Sequence, residues 1–337
     1  MTEATQSPPL SARDFASSQE VRWCPGCGDY AILKSMQKTL ADIGASRENT
    51  VFVSGIGCAA RFPYYMSTYG FHTIHGRAPA IATGLKLANP DLDIWVISGD
   101  GDALSIGGNH TLHVLRRNVN LQILLFNNEI YGLTKGQASP TSPRGTVTPS
   151  TPRGSFSNPV HPLSFAIGAG ARFVARGIDV NLKHLTEVMK AAHAHRGASL
   201  VEIFQNCIVF NDACFSEFTD RENAAEMQVL VEHGKPLRFG PDGCRGLRLD
   251  AASWRLETVD VGPDGVDEGE LLVHDETNRG LALLLAELQP PDFPMVIGIL
   301  YRDPARSYDD AMLEGVPAAG APLSQLLSSG RTWTVSG

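Results

Sequence analysis

The sequence predicts an α/β fold built on a doubly wound, mainly parallel sheet. Two observations carry this. Apolar strand-like runs alternate with segments of helical periodicity, the pattern of a parallel sheet covered on both faces. Two of these runs, Ile94–Ile97 and Leu121–Phe126, lead into Gly99-Asp100-Gly101 and Asn127-Asn128, at the sheet edge where open α/β proteins bind ligands. Asp29 to Ile43 reads as a helix, with Ile32, Leu33, Met36, Leu40 and Ile43 at near-helical spacing. Thr50 to Ser54 is a short buried strand ending in Gly55-Ile56-Gly57-Cys58, and Ala78 to Ala88 is a small-residue helix suited to close packing on a sheet. After the Gly-Asp-Gly turn, Leu104 to Arg116 is a helix. Residues 136–162, rich in Pro, Ser, Thr and Gly, form a long loop placed to act as a lid. Pro162 to Gly168 is a short helix, Arg172 to Arg176 a strand, Leu182 to Ala194 a helix and Ser199 to Gln205 a strand.

Three regions follow: a flexible N-terminal arm over 1–18, a main domain over 19–222 and a C-terminal appendage over 223–337, partly folded onto the main domain. The appendage contains Gly-Pro-Asp-Gly turns, an acidic stretch and a late apolar segment, Pro294 to Tyr301. A net charge of −8 argues against nucleic-acid binding as the main function. The first 18 residues lack an apolar core of the signal-peptide kind, and no run is long enough to span a membrane, so the expected location is the cytoplasm.

Chemistry concentrates at the strand ends. Asp100 and Asn128 present hard oxygen ligands at the carboxyl ends of two neighbouring strands, a donor set that suits Mg²⁺ completed by phosphate oxygens. The glycines beside Asp100 let backbone approach a diphosphate closely. A second constellation is built of sulfur. Cys24-Pro25-Gly26-Cys27 is a CxxC, Cys58 ends a strand turn, and Cys207 and Cys214 follow the last strand of the main domain. In the expected compartment six cysteines point to metal or redox work rather than disulfides. A dithiol, a structural zinc site and an iron–sulfur cluster all remain open on spacing, as does the choice between Cys207 and Cys214. Cys244 reads as an ordinary cysteine.

Gly-Asp-Gly and Asn-Asn at this separation resemble the thiamine-diphosphate motif of the thiamine enzymes. Together with Trp23-Cys-Pro-Gly-Cys-Gly28, Gly55-Ile-Gly-Cys58, His75-Gly-Arg-Ala78, Ala82-Thr-Gly-Leu-Lys-Leu-Ala-Asn89, Asn127 to Gln137 and Cys207-Ile-Val-Phe-Asn211, the main domain resembles the β subunit of the 2-oxoacid:ferredoxin oxidoreductases. The resemblance implies a thiamine-diphosphate-binding domain of the pyrophosphate-binding type. It implies a [4Fe-4S] cluster on Cys24, Cys27, Cys58 and Cys207, and Mg²⁺ on Asp100, Asn128 and the backbone carbonyl of Ile130. Cofactor contacts would come from Ile56, Gly57, Cys58, Ala59, His75, Gly101, Asp102, Gly132 and Leu133. The implied reaction is oxidative decarboxylation of a 2-oxoacid, reversible in principle, with coenzyme A taking the acyl group and ferredoxin the electrons.

Only one Gly-Asp-Gly…Asn-Asn element is present. The pyrimidine-binding domain, with the Glu that activates thiamine, is therefore expected on an obligate α subunit, in a dimer of αβ heterodimers, and no catalytic side chain is assigned to this chain. Arg61 is the candidate for the distal carboxylate of 2-oxoglutarate, favouring that substrate over pyruvate, with Lys135 as an alternative partner. A pyruvate-specific member, a cluster-free thiamine decarboxylase or synthase subunit, and a non-catalytic electron-transfer or scaffolding subunit are the competing readings.

Overall fold

The computed structural model describes residues 9–314 and 322–328. In chain order the elements are α1 (Asp29–Asp42), β1 (Thr50–Ser54), β2 (Tyr69–His72), α2 (Ala78–Ala88), β3 (Asp93–Gly99), α3 (Asp100–Leu104), α4 (Gly108–Arg117) and β4 (Leu121–Asn127). They continue with β5 (Ile130–Tyr131), β6 (Gln137–Ala138), α5 (Pro162–Gly168), β7 (Phe173–Ile178), α6 (Leu182–Ala194), β8 (Ala198–Phe204), α7 (Ser216–Thr219) and α8 (Ala224–Met227). The last are β9 (Gln228–Val231), β10 (Arg238–Phe239), β11 (Arg245–Asp250), β12 (Arg255–Asp260), α9 (Arg279–Ala286), β13 (Met295–Arg302), α10 (Tyr308–Leu313) and α11 (Leu323–Ser328).

The main sheet runs β2-β1-β3-β4-β8-β7-β13-β9. Every pairing in it is parallel except that of β13 with β7. Strand side chains alternate between faces, and the core divides accordingly. Val51, Val53, Ile94, Val96, Ile123 and Leu200 meet α2, α4, α5 and α9 through Ala82, Leu115, Ile167 and Leu285. Phe52, Trp95, Ile97, Leu124, Phe126 and Ile203 meet α1 and α6 through Ile32, Met36, Leu185 and Met189. β1, β4 and β8 are buried at every position, which is why they read as mainly apolar runs without an alternating polar face.

The structure departs from the sequence reading at two places, the N-terminal arm and one helix, and adds detail at two more. Residues 1–8 lie outside the described residues, but 9–18 are docked rather than a free arm: Phe15 is completely buried and the Ser67 amide donates to its carbonyl. The helix expected from Leu104 to Arg116 is interrupted between α3 and α4. A Cβ on Gly107 would come within 2.3 Å of the Asp102 carbonyl oxygen and 2.9 Å of the Gly76 Cα, so this turn exists to let two backbones touch. The 136–162 loop is tied down at its base, where Thr141 and Ser142 are buried. Beyond residue 222, β9 and β13 extend the main sheet, and the antiparallel β10-β11-β12 sheet adds Leu237, Phe239, Leu247 and Leu256 to the core.

One polar pair lies inside the sheet. Arg176 on β7 and Glu202 on β8 are both fully buried and bonded Nε to Oε2 at 2.8 Å. Asn127 Nδ2 donates to the other Glu202 oxygen at 2.8 Å, and the Arg176 guanidinium lies over the Phe204 ring. Removing one partner of such a pair strands the other charge in a low dielectric. Arg176→Met should lower unfolding free energy by about 3–5 kcal/mol, read as a fall in the urea midpoint at constant m-value.

Candidate active site

The ends of β1, β3, β4 and β8 converge on two adjoining cavities. The first is lined by Ile56, Gly57, Cys58, Ala59, His75, Asp100, Gly101, Asp102, Asn128, Ile130, Gly132 and Leu133, together with Tyr131, Thr134 and Gln205. Every residue expected to contact the diphosphate cofactor or its metal is therefore on one wall or another of this cavity. The second cavity, of about 240 Å³, is lined by Cys24, Cys27, Cys58 and Cys207 with Trp23, Arg22, Arg61, Lys135 and Phe210. Cys58, Asn128, Gly132, Leu133 and Gln205 line both. Cys214 and Cys244 line neither; Cys214 packs beside Phe204 and Phe215, and Cys244 is exposed.

Asp102 organises the first cavity. Its Oδ1 accepts from the Ile56 amide at 3.1 Å and the Gly76 amide at 2.7 Å, and His75 Nδ1 lies 2.7 Å away. Its Oδ2 accepts from Ser98 Oγ at 2.5 Å. One carboxylate thus holds the ends of β1 and β3 and the turn before α2 in place. Gly55 has to be glycine here, since a Cβ would sit 1.9 Å from Asp102 Oδ2. Likewise the Gly101 backbone abuts Tyr131, whose hydroxyl donates to the Gly101 carbonyl at 3.0 Å.

Asp100 is buried, and Thr141 Oγ1 donates to its Oδ2 at 2.6 Å. Burial raises its pKa to about 6, against the lowering effect of hydrogen bonds from the loop. Neighbouring Glu129, held at φ +57°, is pushed up to about 8 by burial and then by the Asp100 and Glu202 charges. Asn128 Nδ2 donates to Gln205 Oε1 at 2.8 Å, and its Oδ1 accepts from the Ile130 amide at 3.2 Å. Carboxylate, amide oxygen and backbone carbonyl form an all-oxygen set suited to a hard divalent cation. Such a cation would reverse the local electrostatics that now disfavour ionised Asp100.

The thiol cavity is built from three separate pieces of chain. Cys24 and Cys27 sit on a tight turn, in which the Cys27 amide donates to the Cys24 carbonyl at 3.0 Å, just before the N-terminus of α1. Gly26 provides the required positive φ of +86°. Trp23 Nε1 donates to the Cys58 carbonyl at 2.7 Å and so ties the CxxC to the end of β1. The Gly28 amide donates to the Asn206 carbonyl, and Asp179 Oδ2 accepts from the Asn206 amide at 2.9 Å, which ties both to the end of β8. A Cβ on Gly132 would lie 3.5 Å from the Sγ atoms of both Cys58 and Cys207, so the absence of a side chain there keeps the space between the thiols open. Burial raises the Cys27 thiol far above its ordinary range and Cys58 to about 12; thiols held this way deprotonate on ligating metal. Among the described residues, no three His, Cys, Asp or Glu side chains converge tightly enough to hold a single metal ion.

Sequence reasoning missed Gln205, Thr141, Ser142 and Tyr131. Gln205 had one available signal, a polar residue directly after the apolar strand end Ile203-Phe204 and two before Cys207. Tyr131 lies within the Asn127 to Gln137 stretch but had no role assigned, and Thr141 and Ser142 reach the site from the long loop and left no signal.

Fold and site define a thiamine-diphosphate-binding subunit with a thiol-lined cavity beside the oxygen-ligand cavity. Residues 55–203 match the family described as thiamine pyrophosphate enzyme, C-terminal TPP binding domain. A Mycobacterium tuberculosis protein named 2-oxoglutarate oxidoreductase subunit KorB is 51% identical over 346 residues, spanning 98% of this chain and 90% of that one. The Aeropyrum pernix 2-oxoacid:ferredoxin oxidoreductase 1, subunit beta, is 47% identical over 196 residues, spanning 58% of this chain and 62% of its own. A solved 2-oxoglutarate:ferredoxin oxidoreductase from Magnetococcus marinus, with 2-oxoglutarate, coenzyme A and succinyl-CoA bound, superposes with a TM-score of 0.75 at 31% identity, covering 96% of this chain and 97% of that one. The chain belongs to the β-subunit family of the 2-oxoacid:ferredoxin oxidoreductases, oxidoreductases made of more than one subunit.

Asp102→Ala leaves the Ile56 and Gly76 amides without their acceptor. It should cost about 2–4 kcal/mol of stability and weaken thiamine diphosphate binding, measured together by thermal unfolding with and without the cofactor.

Proposed function

We propose that this chain is the β subunit of a 2-oxoglutarate:ferredoxin oxidoreductase that forms succinyl-CoA and CO₂ and reduces ferredoxin. The observation that carries the reading is the shared wall between an oxygen-ligand cavity and a four-thiol cavity. Decarboxylation chemistry and one-electron chemistry need this adjacency, and neither cavity alone calls for the other.

Asp100, Asn128 and the Ile130 carbonyl would hold Mg²⁺. Ile56 to Ala59, His75, Gly101, Asp102, Gly132 and Leu133 would contact thiamine diphosphate, which when bound supplies the electron sink for loss of CO₂. Cys24, Cys27, Cys58 and Cys207 would hold a [4Fe-4S] cluster, which supplies one-electron acceptance. Thiols spread round the walls of a cavity suit a cluster in which each thiolate takes a different iron, whereas a zinc ion needs four ligands at about 2.3 Å from one point. The protein's own part is positional. The Asp102 carboxylate fixes the two turns around the diphosphate site, the Asn128 amide is held in one orientation, and Trp23, Leu133 and Ile208 keep the thiol cavity apolar.

Arg61 lines the thiol cavity close to Cys58, and Arg22 and Lys135 line the same cavity. These cationic side chains support a dicarboxylate substrate over pyruvate. Further binding partners would be an α subunit supplying the pyrimidine domain and the activating Glu, in an αβ heterodimer that pairs with a second, together with coenzyme A and ferredoxin.

The complex purified without oxygen, with its partner subunit, should be brown and contain about four irons per β chain, with thiamine bound. Serine at Cys24, Cys27, Cys58 or Cys207 should abolish the visible absorption, whereas serine at Cys214 or Cys244 should leave it. A colourless protein with zinc sinks the redox reading. Arg61→Met should raise KM for 2-oxoglutarate by about tenfold or more, the loss expected for a charged hydrogen bond, and leave KM for pyruvate little changed. Equal effects on the two substrates would count against a dicarboxylate role for Arg61.

A further inference from the structure

Gln205 stands at the boundary of the two cavities and lines both. It is 1% exposed and lies just past the end of β8. Its two amide ends face different partners. Oε1 accepts from Asn128 Nδ2 at 2.8 Å, and Nε2 donates to Cys27 Sγ at 3.3 Å and to the Asn206 carbonyl. The Gln205 amide itself donates to the Asn127 carbonyl at 2.9 Å, so the residue is anchored at its backbone as well.

We propose that Gln205 is a positioning residue that couples the metal site to the cluster site through one side-chain amide. The inference rests on the cluster and Mg²⁺ assignments proposed above. At one end, the bond to Asn128 Nδ2 removes the freedom of that amide to rotate and commits its oxygen to the ligand side, beside the Ile130 amide. Partners of this kind orient metal ligands and matter to affinity nearly as much as the ligands do. At the other end, an N–H aimed at a ligating sulfur withdraws charge from it and raises the potential of the attached cluster. The Gln205 carbonyl and N–H belong to one conjugated group, so a pull on either end polarises the other. A glutamate at this position keeps an acceptor for Asn128 and loses the donor to Cys27. A methionine keeps the volume and loses both.

The test uses the intact complex with its partner subunit, loaded with iron. EPR-monitored redox titration gives the cluster midpoint potential, and titration of thiamine-depleted complex with thiamine diphosphate and Mg²⁺ gives affinity. Gln205→Glu should shift the potential to more negative values while binding thiamine diphosphate close to the wild-type level. Gln205→Met should shift the potential in the same direction and weaken Mg²⁺-dependent binding by about 10–100-fold. Should the Met variant fail to fold, the Glu variant decides alone by its potential at retained affinity. Wild-type potential and affinity in both variants would overturn the coupling, as would loss of both cluster and thiamine in the Glu variant, which would make Gln205 a packing residue. Wild-type complex without iron would overturn the cluster assignment and the coupling with it, so the two failures are separable.

Discussion

Parallel strand pairing is the constraint on which the site depends. In a parallel sheet all strands finish on one edge, and here β1, β3, β4 and β8 finish in register: Ser54 lies beside Ile97, Gly99 beside Phe126 and Asn127 beside Phe204. Each strand then releases its chain into a turn carrying the chemistry, with Cys58 after β1, Asp100 and Asp102 after β3, Asn128 after β4, and Gln205 and Cys207 after β8. No one of these turns is a site. The hydrogen-bond ladder makes them neighbours.

Beneath that edge the polar groups form a connected chain. Arg176 holds Glu202, Glu202 holds Asn127, and the single Thr141 hydroxyl hydrogen is shared between Asp100 Oδ2 at 2.6 Å and Asn127 Oδ1 at 3.0 Å. Connected buried networks of this kind fix geometry at the expense of desolvation. Asp100 is aimed from below by this chain, while Asp102 is aimed by backbone amides. Two acidic residues separated by one glycine thus have different duties, one at the proposed metal site and one to the fold around it.

What the sequence disclosed was what is local. Helical spacing in α1, small-residue composition in α2 and the local character of α5 and α6 located these helices to within a residue, and Asp100, Asn128, Cys58 and Cys207 were read at strand-end turns, where the structure has them. Long-range contacts were illegible. Gly107 looks like an ordinary helix glycine until Gly76 is packed against it, and Phe15 looks like part of a polar arm until its pocket exists. Thr141 sits in a stretch whose composition describes any surface loop. Gln205 was passed over because its meaning lies in two partners that are 77 and 178 residues away in sequence. Pro294 to Tyr301 was recognisable as a late apolar segment, but neither its strand β13 nor its destination between β7 and β9 was.

That destination bears on how the chain acquires its structure during synthesis. β13 lies antiparallel against β7, matching Gly298 to Arg176 and Arg302 to Phe173. More than a hundred residues must leave the ribosome after β7 before this pairing is possible. Until then β7 is an open edge beside a sheet otherwise ready to form, the kind of exposed ladder that invites pairing with other chains. The Arg176–Glu202 pair lies next to that edge, and Arg176 also meets Met295 and Val296 of β13. In the finished sheet β13 covers that edge, and with it the Arg176 guanidinium. The pair that stiffens the sheet thus also places a charge beside the edge that β13 closes, and charges pointing in at an edge disfavour pairing with foreign strands.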